Sequence, residues 1–156
     1  MTRRCVISTL VLPVAAQNRI PDRGPQIDSG LVKEFVIAGH GNLAKCREML
    51  SQNPKLINAC WDWGGGDFET ALGGASHMGN REIALFLIEQ GARIDLFAAA
   101  MLGHLQMVQA ALEAHPGAIK TPGPHGIALT DHARKGGADA EATLRFLEKM
   151  TSSPAG

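Results

Sequence analysis

Tyrosine is absent from the 156-residue chain, and phenylalanine and tryptophan bring the aromatic share to only 4%. Large aromatics usually dominate bulky cores, so this interior must be filled by Ala, Leu, Ile and Met. Strand formers are scarce as well. Three of the six valines fall within the first fourteen positions, which leaves the body of the chain short of β-branched residues. The composition therefore reads as all-α. Neither sign of charge predominates: fifteen Lys+Arg meet fifteen Asp+Glu, for a formal net charge of zero. Non-specific nucleic-acid binding needs surplus cations to displace counterions, so no nucleic-acid partner is expected. No apolar run reaches the ~18 residues of a membrane span, which argues against integral insertion. The three cysteines, Cys5, Cys46 and Cys60, form no C-x-x-C pair and no metal-finger spacing. A Cys46–Cys60 disulfide is possible in an exported chain; two small buried thiols are the plainer alternative. What remains is a globular balance, 45% hydrophobic and 19% charged, in a length that fits one domain.

Residues 1–4 carry two arginines, and twelve mostly apolar residues (5–16) follow, closing on Val14-Ala15-Ala16. That is the charged, apolar, small order of an export signal. Thr2-Arg3-Arg4-Cys5-Val6-Ile7 also resembles a twin-arginine signal. An exported, periplasmic protein is the expectation, with cytoplasmic residence as the alternative. Residues 17–30, with Pro21, Gly24 and Pro25 and no apolar period, read as a linker. The division is thus an export-like segment and linker over 1–30, a folded domain over 31–150 and a flexible tail over 151–156.

Internal similarity then sets the fold. Around Gly79, a short small-residue segment (70–78) is followed by Ile83, Ala84, Leu87 and Ile88 on one helical face, stopped by Gly91. This predicts two antiparallel helices joined at a glycine turn. Gly41, Gly103 and Gly136 repeat the pattern, the last with its second helix offset by about one residue.

The segment Thr70-Ala71-Leu72-Gly73-Gly74-Ala75-Ser76-His77-Met78-Gly79 resembles the ankyrin signature Thr-Pro-Leu-His-x-Ala-Ala-x-x-Gly. Gly103-His104 matches the family's Gly-His, and Gly91-Ala92 its Gly-Ala. The resemblance to the ankyrin-repeat family covers about residues 31–150. It implies a solenoid of about four helical hairpins with projecting finger loops and a habit of binding partner proteins. Two departures stand out against a period of about 33 residues. Gly41 and Gly79 are 38 apart, the excess lying in an aromatic finger over 61–69, and Gly79 and Gly103 are only 24 apart, so the next finger is missing.

Both tryptophans lie in the oversized finger, with Phe68 beside them. Exposed Trp anchors bind through large desolvation per side chain; alternatively, Trp61 and Trp63 fold down over the gap left by the missing finger. Gly64-Gly65-Gly66 is no phosphate cradle, because Asp67 and Glu69 follow where Lys and Ser/Thr are needed. Ser76 lacks the glycine two residues on that a hydrolase nucleophile turn requires. The residues just before each repeat glycine, including His77-Met78 and Met101-Leu102, are expected on an exposed concave stripe. The six histidines show no metal-binding spacing of their own. His40 and His77, at the ends of successive first helices, would share the concave side, where Asp62 or Asp67 could complete a cluster. The function expected is a monomeric, non-enzymatic module that binds another protein through Trp61, Trp63, Asp67, Phe68, Glu69, His77, Met101 and His125. No catalytic residue, metal ligand or cofactor is assigned. The alternative is a small-ligand or metal-binding pocket with the Trp-rich loop as its lid.

Overall fold

The computed structural model describes residues 23–152. The export-like segment over 1–16 and the end of the tail over 153–156 lie outside the described residues. Among the described residues the chain forms eight α-helices and one short antiparallel hairpin. Side-chain caps mark several helix starts, each accepting an otherwise orphaned backbone N–H. Asp28 caps α1 (Ser29–Gly39) and Asn42 caps α2 (Leu43–Gln52). The strands β1 (Cys60–Asp62) and β2 (Phe68–Thr70) follow, and Thr70 then caps α3 (Ala71–Met78), its Oγ1 accepting from Gly73 N–H at 3.0 Å. After α4 (Arg81–Glu89), Asp95 caps α5 (Leu96–Met101) through Ala98 N–H at 2.7 Å. The chain ends in α6 (Leu105–Ala114), α7 (Leu129–Lys135) and α8 (Glu141–Ser152).

The helices pair in chain order, α1 with α2 through α7 with α8, while α1, α3, α5 and α7 pack successively against one another. The fold is all-α, as the composition implies. Gly79 (φ 75°) and Gly103 (φ 76°) hold the left-handed turns between paired helices. Gly136 is right-handed (φ −70°), and the left-handed position moves to Gly137 (φ 60°), which accounts for the one-residue offset in the last pair. One apolar cluster joins α1–α5 around Phe35, Leu56, Leu72 and Leu87; a second joins α5–α8 around Val108, Leu112, Leu129 and Leu147. Each such fully buried side chain contributes about 1.5–3 kcal/mol.

Two expectations need correction here. Met101 and Leu102 do not line an exposed stripe, for both are buried, Met101 completely. The six-residue α5 lies between α3 and α7, so residues 98–101 have no free face. The end of α7 comes close enough that a Cβ at Gly136 would strike the Met101 carbonyl. Cys46 and Cys60 are free thiols, as the plainer reading has it, but only Cys46 is buried and Cys60 is exposed; burial pushes the Cys46 thiol up to about 11.

The connectors differ as their lengths imply. Between α4 and α5 the chain turns directly at Gly91, with no finger. Asn58 ties the first connector to this short one, donating to the Gly91 carbonyl (3.1 Å) and accepting from Arg93 N–H (2.9 Å). The long connector forms the hairpin, in register Cys60↔Thr70, Trp61↔Glu69 and Asp62↔Phe68. No helix among the described residues is long and apolar enough to cross a membrane.

Candidate functional site

Strand parity decides what the finger presents. Successive β2 side chains point to opposite faces, so Phe68 is 60% exposed while Glu69 is 1% exposed. A carboxylate taken from water needs partners, and three histidines from three other elements supply them. His77 comes from α3. His40 caps the end of α1, its carbonyl held by the Asn80 side-chain amide. Its ring lies across α3 only because residue 74 is glycine, where a Cβ would sit 2.7 Å from Nδ1. His125 arrives from a short turn (Pro124–Gly126) with φ 59°, the one left-handed non-glycine residue among those described. Such a backbone costs about 1–3 kcal/mol. Asp67 offsets it by accepting both the His125 backbone N–H (2.9 Å) and Nδ1–H (2.8 Å).

The four side chains converge on one point. His40 Nε2 and His125 Nε2 each lie 3.3 Å from Glu69 Oε2, and His77 Nε2 lies 3.0 Å from Oε1. All four ligating atoms fall within 4.8 Å of one another. Trp63 closes one side, its indole N–H donating to Oε2 at 2.8 Å and its ring meeting that of His40 edge-on. The imidazole centroids stand 4.8 Å apart for His40 and His77, and 5.2 Å for His77 and His125.

Hydrogen bonding fixes which nitrogen carries the proton. His40 Nδ1 faces the Val36 carbonyl at 2.9 Å and His125 Nδ1 faces the Asp67 carboxylate. Both are acceptors only, so each Nδ1 must donate. Each Nε2 then meets Glu69 Oε2 as an N–H donor when its ring is protonated and as a bare lone pair when it is neutral. The third pair differs: Glu69 Oε1 and His77 Nε2 are buried without a hydrogen-bond partner despite their 3.0 Å separation.

The electrostatics reflect this crowding. Burial pushes the Glu69 carboxyl up, but the His40, His77 and Trp63 nitrogens around it outweigh this and hold the group below the usual carboxylate range. The hydrogen bond to Glu69 raises His40, against the opposing effect of burial. Asp67 is lowered, first by the His125 backbone N–H. His132, on α7, is fully buried beside Phe97 with neither ring nitrogen partnered. Burial, reinforced by the charge of His77, takes it down to about 4.

Chemically, three imidazole nitrogens and a carboxylate are a transition-metal donor set. A tetrahedral ion with bonds of about 2.0–2.1 Å keeps its ligand atoms roughly 3.3 Å apart; the three His–Glu69 contacts match this, and the whole donor set lies within 4.8 Å. The outer partners are of the kind that orient metal-bound histidines, a carbonyl on His40 and a carboxylate on His125.

Of the residues singled out from sequence, Trp63, Asp67, Glu69, His77 and His125 come together, and His40 joins them. Glu69 provides the central carboxylate instead of Asp62 or Asp67. Asp62 accepts the N–H groups of Gly64 and Gly66 at the finger tip, and Asp67 stands behind His125. Trp61 is half-buried beneath the Lys33 ammonium, Phe68 faces away, and Met101 belongs to the core. His132, a packing position by its place in the repeat, is packed as such. A scan against protein-family models and a search of curated proteins each give no match to the chain.

Proposed function

We propose that this chain is an ankyrin-type repeat protein whose long finger and neighbouring helices hold one divalent transition-metal ion, with His40, Glu69, His77 and His125 as ligands. The supporting observation is the convergence of the His40, His77 and His125 Nε2 atoms on the Glu69 carboxylate, with the His40 and His125 rings each fixed by an acceptor behind Nδ1. These contacts call for positive charge, from protons on the rings or from one ion among all four donors. A proton on one ring satisfies one contact to Glu69, and protons on all three would set imidazolium charges side by side, with ring centroids 4.8 and 5.2 Å apart. A divalent ion supplies the positive charge at a single point, and with Glu69 and Asp67 its charge is balanced. Nitrogen-rich donors suit zinc and its neighbours and disfavour calcium and magnesium, which prefer oxygen. Four protein donors fill a tetrahedral sphere, the pattern of a structural centre, so the role is non-enzymatic. The ankyrin architecture is supported by the glycine-turned helix pairs stacked in chain order.

The test is a zinc titration of the full chain after chelator treatment, with calorimetry and metal analysis. One ion per chain is expected at neutral pH. Glu69→Gln should weaken binding by more than the ~10–100-fold that loss of an outer-shell partner costs, with helicity unchanged. Wild-type protein that takes up no zinc would refute the reading.

A second role, docking of another protein on the finger tip, is favoured by the outward-facing Phe68 and by Trp63, which is 37% exposed. Phe68→Ala should then weaken partner capture without altering metal content.

A further inference from the structure

Resting on the metal reading, we infer that the ion acts as a clamp: its occupancy decides whether the long finger and the His125 turn are fastened together or move independently. Neither element is well secured alone. The finger is a hairpin of two three-residue strands based on α1 and α3, and without such support two-stranded hairpins are marginal in water. Its tip, Gly64 to Gly66, has positive φ throughout, in residues that lose the most freedom on ordering. The turn is held internally by Gly123 N–H to the Ile127 carbonyl (2.9 Å) and Gly126 N–H to the Gly123 carbonyl (3.1 Å), and it carries the strained His125 backbone.

Among the described residues, every hydrogen bond and ion pair between finger and turn ends on His125, reached by Asp67 and Glu69. The link is therefore a single joint. Without the ion, the joint to Glu69 is one long contact of 3.3 Å from His125 Nε2 to Oε2. With it, the same two atoms bind a common centre, and His40 and His77 anchor that centre to α1 and α3. The groove between Asp67 and Phe68 on the finger and Pro122 and Pro124 on the turn keeps its width by this joint. Linkage makes the effect reciprocal, so whatever steadies the finger also tightens the hold on metal.

The test is backbone hydrogen exchange of the full chain by mass spectrometry, in chelator and with zinc, with bound zinc measured in parallel. At free zinc about 100 times the Kd, opening of residues 62–69 and 122–127 should be suppressed about 100-fold, with α6 and α8 unaffected. His125→Gly keeps the left-handed backbone without steric cost and removes one ligand. Zinc should still protect the finger of this variant and no longer the turn. Stoichiometric zinc with unchanged exchange in both segments would overturn the clamp and leave the metal site standing, as would a turn still protected by zinc in His125→Gly. Absence of bound zinc in the wild type would overturn both.

Discussion

Ile83 and Glu69 are about equally removed from water, at 4% and 1% exposure, yet opposite causes put them there. Ile83 belongs to the apolar cluster joining α1–α5, where burial itself is the driving force and neighbours need only fill space. Glu69 is buried against its own desolvation and stays there through partners drawn from α1, α3 and a distant turn. The first kind of burial is local and periodic. The second depends on assembly of the whole fold.

Substitution at the seam should therefore have the largest effect. Ile83→Asp places an unpaired carboxylate in the apolar cluster, at a cost of several kcal/mol against a total of roughly 5–15 kcal/mol. Loss of the cooperative thermal transition is expected by circular dichroism, whereas Glu69→Gln should keep it. A melt near that of the wild type would erase the distinction between the two regions.

His132 sharpens it, being a titratable group buried in the helical frame with no partner. Its folded value of about 4 lies below the ordinary 6.5, so the unfolded chain binds the extra proton between these values. The stability it contributes is complete above about pH 6.5 and is lost as pH falls toward 4, by about 3 kcal/mol. Urea denaturation of the chelated protein over this range should show the slope, and His132→Leu should flatten it.

The smallest effect concerns the two described cysteines. Cys60, exposed on the finger, should react with a thiol reagent in the native chain, while Cys46 should react only on unfolding. Peptide mapping after brief labelling distinguishes them, and equal rates would mean that the first helix pair opens as readily as the finger.

The same contrast explains what could be read from the sequence. Gly79 and Gly103 mark the helix turns because a left-handed residue there is a local requirement, and the 24-residue spacing between them already removes a finger. The apolar positions after each glycine announce the seam. The finger residues stand out as contact residues, but the direction they face rests on strand parity, since a one-residue slip would exchange Phe68 and Glu69. His40 and His77 share a repeat position and could be paired on that ground. His125 could not, because it enters from a turn 48 residues beyond His77 in a backbone conformation that histidine seldom adopts. The burial of Met101 was equally hidden, depending on how near Gly136 lets α7 approach.

X-ray absorption at the zinc edge of the loaded full-length chain bears most directly on the central claim. It should give a four-coordinate ion with three imidazole nitrogens and one carboxylate oxygen at about 2.0–2.2 Å. A sphere of oxygens alone, or a sulfur at about 2.3 Å from a cysteine such as Cys60, would contradict it.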